Sequence, residues 1–302
     1  MRVLIVGCGY VGLPLGVELV RLGHEVFGLR RNPAVEGEMK TAGIQPLFGD
    51  VTRPETLAAL PREYDWVVNC VAAGGDAENY RQVYLQGTRN LIEWLTPNPP
   101  KKFVYTSSTS VYGQTDGSQV KESSPTEPLA ETAKILLETE KLLLAAVADR
   151  KIPAVILRVA GIYGPDRGHG FKQFLKNEAR IEGDGSRFMN MIHRDDLISC
   201  IIGALKSGRA GEIYNAVDDE PVSQMNFFQW LAGTVGKYPP PSEPENSLEN
   251  RKRGVTNKRV SNRRLKMELG CQFKYPNFRK GYSAEILRLE RAGELDVLPD
   301  ER

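Results

Sequence analysis

The chain has 302 residues, and its 40 Lys and Arg residues against 38 Asp and Glu residues leave a formal charge of +2, which gives no electrostatic reason to expect a nucleic acid or a membrane surface as a partner. A mean hydropathy of -0.36, with no apolar run near the ~20 residues of a membrane span, argues against a transmembrane protein. Four scattered cysteines exclude a disulfide scaffold, so we expect a reduced, cytoplasmic protein.

Short apolar runs alternate with longer helical patterns over the first 160 residues. The run at residues 2–7, RVLIVG, is almost entirely apolar and ends in glycine, which is typical of a strand buried on both faces. A helix follows it, and the same alternation predicts further strands at residues 24–29, 43–48, 65–72, 102–108 and 153–159, with helices at 54–60, 79–95 and 131–148. This order predicts an α/β fold, a doubly wound parallel sheet of the Rossmann type.

The regular alternation weakens after Gly164, where only a strand at residues 211–217 and a helix at 224–235 stand out. We therefore expect residues 1–164 to form a dinucleotide-binding Rossmann domain. Residues 165–302 would form a smaller C-terminal α/β lobe that binds the substrate and is partly interleaved with the sheet.

A glycine motif stands between the first strand and the first helix. Gly7, Gly9 and Gly12 form a G-x-G-x-x-G pattern, whose glycines allow a tight turn, a close backbone approach to a diphosphate and close helix–strand packing. The free N–H groups at the helix N-terminus also favour phosphate. We expect these glycines, together with Tyr10 and Val11, to contact a dinucleotide cofactor; the alternative is a purely structural turn.

The end of the second strand bears on the choice of cofactor. An NAD site usually has Asp or Glu there to bind the ribose 2′-hydroxyl, whereas this strand ends in Arg30 and Arg31. Guanidinium groups suit a 2′-phosphate through bidentate, charge-assisted hydrogen bonds. The pattern favours NADP(H) over NAD(H), with a solvated strand end as the alternative.

Two further loops follow the third and fourth strands. Asp50 and Val51 come after the third strand, where the carboxylate could accept the adenine amino group or lie exposed in a turn. Ala72 and Ala73 come after the fourth strand, and their small side chains would let a cofactor lie close to the backbone.

Several motifs in order resemble those of the extended short-chain dehydrogenase/reductases, the NAD-dependent epimerase/dehydratase group. They are the glycine loop, Gly49-Asp50, TSSTSVYG at residues 106–113, LRVAGIYGP at 157–165 and MIHRDDL at 191–197. The glycine loop is one residue shorter than is usual in the group, as it is in atypical members. The opening GCGYVGLPLG also resembles nucleotide-sugar dehydrogenases, but nothing after residue 20 supports that likeness.

The resemblance implies a catalytic Tyr, a Lys four residues later, and a Ser or Thr after the fifth strand. Ser108, three residues before Val111, matches the Ser position, and the neighbouring Ser107 and Thr109 leave a one-residue ambiguity. Lys134 matches the Lys position, which would hold the nicotinamide ribose and leaves Ala130 at the position of the Tyr. The chain therefore resembles an atypical member that lacks the usual catalytic Tyr.

Other side chains could carry the proton in place of that Tyr. Tyr112, Tyr163 and Glu131 lie near the matched motifs, and the imidazole of His193 has an intrinsic pKa suited to proton transfer. Packing or substrate-shaping roles are the alternative for each. No His or Cys residues have metal-ligand spacing, so we expect no metal site.

The resemblance implies an NADP(H)-dependent oxidoreductase or an epimerase/dehydratase-like enzyme acting on a small polar substrate, with a nucleotide sugar as one candidate. The alternative is a non-enzymatic NADP(H)-binding sensor that has lost the catalytic Tyr. A third reading is a Rossmann site that holds a nucleotide-sugar substrate alone. A homodimer through the helices at 79–95 and 131–148 is common in the family and is expected on that ground only.

Overall fold

A seven-stranded parallel sheet forms the centre of the computed structural model, which describes residues 1–244 and 256–295. The sheet has the order β12-β7-β5-β4-β1-β2-β3, and every neighbouring pair in it is parallel. The described strands are β1 (Arg2–Val6), β2 (Glu25–Arg30), β3 (Gln45–Phe48), β4 (Trp66–Asn69), β5 (Lys102–Ser108), β6 (Gln119–Val120), β7 (Ala154–Val159), β8 (Gly161–Tyr163), β9 (Ile181–Glu182), β10 (Phe188–Met189), β11 (Met191–His193), β12 (Ile213–Ala216), β13 (Val222–Ser223), β14 (Ser242–Glu243) and β15 (Arg259–Val260).

Helices cover both faces of this sheet, as a parallel sheet requires. The described α-helices are α1 (Gly12–Arg21), α2 (Glu36–Thr41), α3 (Pro54–Ala58), α4 (Ala77–Tyr80), α5 (Gly87–Leu95), α6 (Glu131–Ala148), α7 (His169–Leu175), α8 (Arg194–Ser207), α9 (Gln224–Val235), α10 (Arg263–Leu269) and α11 (Phe278–Ala292). Within the described residues, no helix combines the length and apolar character needed to cross a bilayer.

Alternate residues of β1 belong to two different cores. Val3 and Ile5 pack in a cluster with residues of α1 and α8, whereas Leu4 and Val6 pack in a cluster with residues of α5 and α6. This is the two-residue period of a strand buried on both faces, and it confirms the doubly wound α/β fold predicted from the sequence.

The C-terminal part of the chain builds its own aromatic core and also contributes to the sheet. Phe227, Phe278 and Tyr282 are central in a cluster formed by α7, α9 and α11. In contrast, β12 pairs with β7, and α8 packs in the same core as β1. The two parts therefore share one sheet, and the boundary at residue 164 stays a prediction about which part binds the cofactor and which binds the substrate.

The helical bounds agree with the sequence at some places and differ at others. The helices α6 and α9 lie where the patterns at residues 131–148 and 224–235 predict them. The pattern at residues 79–95 corresponds to a helical segment that begins earlier, at Ala77, and has a π-helical stretch at Arg81–Gln86 between α4 and α5. The helix α2 is not predicted, because Met39 is its one buried side chain.

A buried ion pair ties α6 to the sheet. The guanidinium of Arg158 on β7 donates to both carboxylate oxygens of Glu140 on α6, and their side chains are 5% and 1% exposed. Ser107 Oγ on β5 donates to the same carboxylate at 2.5 Å, and Arg158 also donates to the Tyr112 hydroxyl. Hydrogen bonds that satisfy a buried pair in this way hold β5, β7 and α6 in one arrangement.

We expect Glu140→Ala to destabilise the fold by about 3–5 kcal/mol, because it leaves the Arg158 guanidinium buried without its counter-charge. The matched control is Glu138→Ala, two residues away on α6, whose ion pair with Arg81 is exposed and should contribute less than about 1 kcal/mol. Urea unfolding of both variants measures the two losses. Equal losses would contradict a special role for the buried pair.

Candidate functional site

A cleft with a volume of about 480 Å³ lies along the carboxyl ends of the central strands. The strand ends meet there because the register aligns them: Val6 of β1 lies beside Leu29 and Asn69, and Ser108 of β5 lies beside Val159. Most of the side chains expected from the sequence to bind cofactor or substrate line this cleft. They are Gly7, Gly9, Tyr10, Val11, Arg30, Arg31, Asp50, Val51, Ala72, Ala73 and Ser108.

The glycine loop has the geometry of a phosphate cradle. Gly7 has a φ of +87°, and a Cβ there would lie 2.8 Å from the backbone of Val71. Gly12 is not in the cleft wall; a Cβ on it would lie 2.6 Å from the Gly7 carbonyl oxygen, so its role is close packing. The helix α1 begins at Gly12 without a side-chain cap. The Leu13 N–H donates to the Gly9 carbonyl oxygen and Pro14 has no N–H, so the N–H groups of Val11 and Gly12 are those left for an anion.

Arg30 is a support for this loop as well as a cation of the cleft. Its Nη1 donates to the Cys8 carbonyl oxygen at 2.8 Å, and a Cβ on Gly9 would lie 2.9 Å from the same nitrogen. Only glycine at position 9 leaves space for the guanidinium to cross the loop. The hydrogen bond from Arg30 to the Cys8 carbonyl oxygen fixes the backbone of the glycine loop close to the N-terminus of α1.

Arg31 is held more loosely than Arg30. Its side chain is 69% exposed, and its Nη1 lies 3.9 Å from Asp50 Oδ2. The other carboxylate oxygen of Asp50 accepts hydrogen bonds from both the backbone N–H and the hydroxyl of Thr52. Asp50 is therefore fixed in its turn, while the Arg31 guanidinium can turn toward a ligand.

Ser108 and Ser107 have different roles at the end of β5. The Ser107 hydroxyl is committed to the buried Glu140 carboxylate. Ser108 is half-buried, and its Oγ accepts the backbone N–H of Ser110 at 3.1 Å, so its own proton can be donated to a ligand. The structure thus favours Ser108 over Ser107 as the side chain that contacts substrate.

Lys134 does not lie where a ribose-binding lysine is expected. It is exposed, 3.6 Å from Glu131, and is not among the side chains that line the cleft. The buried side chains of this stretch of α6 include Thr132, Leu136 and Glu140, at four-residue spacing on one face. A helix turns about 100° per residue, so the exposed Lys134 and the buried Leu136, two residues apart, lie on nearly opposite faces of α6.

This placement corrects the assignment of Lys134 and of Ala130, which precedes the helix. In the pattern that the chain resembles, a Glu often stands four residues after the Lys, and Glu138 matches it when Lys134 is the Lys. If the buried Glu140 is that Glu instead, the Lys and Tyr positions fall on Leu136 and Thr132. Either assignment leaves the helix without the tyrosine of the family pattern, and the second also leaves it without the lysine.

The four suggested substitutes for the tyrosine lie outside the cleft wall. His193 is buried, its Nδ1 accepts the backbone N–H of Asp195, and burial lowers its pKa to about 4, so it is neutral at pH 7. The Tyr163 hydroxyl donates to the Asn277 carbonyl oxygen, and burial raises the pKa of Tyr163. Neither group is placed to exchange a proton with a ligand in the cleft.

The other two substitutes are also engaged elsewhere. The Tyr112 hydroxyl donates to Asn215 Oδ1, and burial raises the pKa of Tyr112 although the Arg158 guanidinium beside it opposes the shift. Glu131 is exposed and pairs with Arg81. The described part of the chain also has no group of three or more His, Cys, Asp or Glu side chains that could hold a metal ion.

The cleft wall includes polar side chains that the sequence did not single out, above all Tyr84 and Arg167. Tyr84 lies in the π-helical stretch, and its phenol oxygen accepts the backbone N–H of Ala73 at 3.2 Å. The sequence predicted a helix here, but the wider π turn changes which side chains face the sheet. Arg167 lies in the irregular segment after β8, which carries no sequence signal for a binding role.

Protonation of His193 should reduce the stability of the fold in acid. Its pKa falls from 6.5 to about 4 on folding, so the unfolded chain binds more protons between these values and stability is lost as the pH falls through that window. At pH 4.5 the difference is about 2–3 kcal/mol. His193→Gln should flatten this part of the pH profile of unfolding free energy. The control His169→Gln, at an exposed position, should leave it unchanged, and an unaltered slope in His193→Gln would disprove the assignment.

The chain is similar to known proteins over most of its length. The model of the NAD dependent epimerase/dehydratase family matches residues 3–216. Protein YeeZ of Escherichia coli (strain K12) is 29% identical over 285 residues, which cover 91% of this chain and 97% of that protein. Human dTDP-D-glucose 4,6-dehydratase is 27% identical over 180 residues, 57% of this chain and 51% of that protein.

Solved structures agree with these similarities. A conserved protein of unknown function from Silicibacter pomeroyi DSS has a TM-score of 0.78 at 27% identity, covering 95% of this chain and 98% of that one. DesIV, a dTDP-glucose 4,6-dehydratase from Streptomyces venezuelae with NAD and TYD bound, has a TM-score of 0.83 at 22% identity, covering 98% and 99%, and shows the fold alone. The family match and the curated relatives confirm the resemblance and the class, an NAD(P)-dependent enzyme of the short-chain dehydrogenase/reductase type.

Proposed function

Because the chain belongs to the NAD-dependent epimerase/dehydratase family, we propose that it is an NADP(H)-dependent oxidoreductase or epimerase/dehydratase-like enzyme that acts on a small polar substrate. Curated relatives that modify a dTDP-sugar support a nucleotide sugar as that substrate. The observation that carries the proposal is the cleft, in which the glycine loop, the paired arginines and Ser108 come together.

The residues present fit a pyridine dinucleotide. A Cβ at Gly7 or Gly9 would meet the Val71 backbone or the Arg30 guanidinium, so the loop backbone stays open to a diphosphate. The uncapped N-terminus of α1 offers the diphosphate N–H donors. The small side chains of Ala72 and Ala73, after β4, leave space for the cofactor close to the backbone. The volume of the cleft is within the range typical of cofactor sites, roughly 300–1,000 Å³.

The preference for NADP(H) rests on the charge at the end of β2. Arg30 and Arg31 both line the cleft there, and among the described residues the nearest carboxylate to the Arg31 guanidinium is Asp50 at 3.9 Å. A phosphate beside Arg31 would form charge-assisted hydrogen bonds with its guanidinium, and these are stronger than the 3.9 Å contact with Asp50 that they would compete with. A ribose 2′-hydroxyl would gain little from the same group.

We expect Arg31→Ala to weaken NADPH binding by roughly 10–100-fold, the value of a hydrogen bond to a charged group, and to change NADH binding less than about twofold. Calorimetric titration with each nucleotide measures the two affinities. Arg31 is the better position for this test, because replacing Arg30 also removes its bond to the Cys8 carbonyl. Arg89→Ala, at an exposed position outside the cleft wall, is the control, and equal losses for both nucleotides would contradict the 2′-phosphate assignment.

The chemistry needs a group that orients the substrate and a group that carries a proton. When bound, the nicotinamide gives or takes a hydride. Ser108 would hold the reacting oxygen of the substrate through its hydroxyl. We assign proton transfer to Tyr84, because it lines the cleft and the Ala73 N–H holds its phenol oxygen in place there.

Tyr84→Phe and Ser108→Ala should each lower turnover by about 10²–10⁴-fold, while NADPH affinity changes less than about threefold. NADPH or NADP⁺ absorbance in the presence of a panel of nucleotide sugars measures turnover. Tyr80→Phe is the control for Tyr84, since the two rings are 5.1 Å apart and Tyr80 lies outside the cleft wall. Full activity in Tyr84→Phe would remove Tyr84 from the reaction.

A non-enzymatic NADP(H) sensor is the second candidate. It is favoured by the packed face of α6, where Thr132 and Leu136 stand at the four-residue spacing of a catalytic pair. A sensor would bind NADPH as tightly as an enzyme and turn over no member of the substrate panel, before and after the substitutions above.

A cytoplasmic location and a homodimer complete the proposal. The dimer would use the outer faces of α5 and α6. Ion pairs from Arg81 to Glu131 and Glu138 already link the two helical segments within one chain, so the outer face is charged and its assembly should weaken in high salt. Sedimentation at two salt concentrations tests this.

A further inference from the structure

Arg167 brings a cation from the C-terminal part of the chain to the wall of the cleft that faces the glycine loop. Its guanidinium carbon lies 4.8 Å from the centroid of the Tyr10 ring, within the range of a cation–π contact. Tyr10 is itself a residue of the glycine loop. The stacking therefore places the guanidinium beside the loop that cradles a diphosphate.

The contacts of Tyr10 keep this arrangement in place. Its hydroxyl donates to the Pro165 carbonyl oxygen at 3.0 Å, and the Arg194 guanidinium lies 5.3 Å from the same ring. Burial raises the pKa of Tyr10 to about 12, so the hydroxyl keeps its proton and this bond persists at neutral pH. Tyr10 thus acts as a fixed platform between the two parts of the chain.

The backbone around Arg167 is also preorganised. Gly164 and Arg167 exchange two backbone hydrogen bonds, each 3.0 Å long, which close a tight turn. Asp166 within the turn has a φ of +57°; its N–H donates to Glu285 on α11 and its carboxylate accepts from Arg288. A side chain carried on such a turn loses less freedom when it binds a ligand.

The charge of Arg167 has no acidic partner among the described residues. Arg194, the second guanidinium at Tyr10, pairs with Asp195 at 3.1 Å, whereas no carboxylate forms a salt bridge with Arg167 within residues 1–244 and 256–295. Arg194 is therefore compensated and structural. Arg167 is exposed toward the cleft with its charge available.

We propose that Arg167 is a phosphate-binding residue, which holds the diphosphate of a bound nucleotide together with the glycine loop. The inference rests on the proposed function and deepens it, since it assigns the ligand's diphosphate to groups from both parts of the chain. The diphosphate belongs either to the dinucleotide cofactor or to a nucleoside diphosphate substrate. Arg167 is distinct from Arg31, whose partner is the 2′-phosphate.

The test is calorimetric titration of the whole protein with ADP-ribose, NADPH, NADH and UDP. Arg167→Ala should weaken ADP-ribose, NADPH and NADH by similar factors of at least tenfold, in contrast to the selective effect of Arg31→Ala on NADPH. If the subsite holds the substrate instead, ADP-ribose binding stays intact and UDP binding to the NADPH-saturated protein weakens at least tenfold. Lys172→Ala, an exposed cation one turn away that is not in the cleft wall, is the control.

Unchanged affinity for both ADP-ribose and UDP in Arg167→Ala would overturn the inference. Failure of the proposed function gives a different result. The unsubstituted protein would then bind neither NADPH nor ADP-ribose, while the effect of Arg167→Ala on UDP binding to the nucleotide-free protein would still test the subsite. Tyr10→Phe keeps the ring but loses the hydrogen bond to Pro165, so it should lose less affinity than Tyr10→Leu, which also removes the ring. Equal losses in the two variants would contradict stacking as the contact that positions Arg167.

Discussion

The parallel pairing of β1 with both β2 and β4 is the constraint on which the rest of the structure depends. Parallel strands all end at the same edge, so the loops that follow them meet there however far apart they lie in the chain. The glycine loop, the two arginines, the Asp50 turn and Ser108 come together for this reason. The same pairing leaves both faces of the sheet to be covered, and this requires α1 and α8 on one face and α5 and α6 on the other.

The parts of the fold that the sequence predicts are those with a local pattern. A buried strand has a continuous apolar run, and a long packed helix such as α6 repeats its buried residues every three to four positions. The glycine loop is equally local, because the turn, the close approach and the helix start lie within six residues. Short elements without such a pattern, among them α2 and the two-residue strands of the C-terminal part, depend on tertiary contacts and could not be predicted.

The helix α6 shows how a small difference in helical phase changes a functional assignment. Glu138 and Glu140 are two residues apart, and the sequence offers no reason to prefer one of them as the acidic residue of the family pattern. In the structure Glu140 contacts Arg158 and Ser107, whereas Glu138 is exposed and pairs with Arg81. Tyr84 escaped prediction for a related reason, because the π turn that carries it departs from the regular helical period.

The tertiary structure concentrates positive charge at the cleft, and the net charge of the chain does not reveal this. A chain with a formal charge of +2 nevertheless brings Arg30, Arg31 and Arg167 to one cleft against the single carboxylate of Asp50. Arg167 reaches that cleft through a turn held by α11, so the second wall of the cleft depends on packing some 120 residues further along the chain. The Tyr10 hydroxyl donates to the carbonyl oxygen of Pro165 in that wall, so the position of the glycine loop and the position of the wall depend on each other. One aromatic ring therefore joins the glycine loop to the turn that carries Arg167.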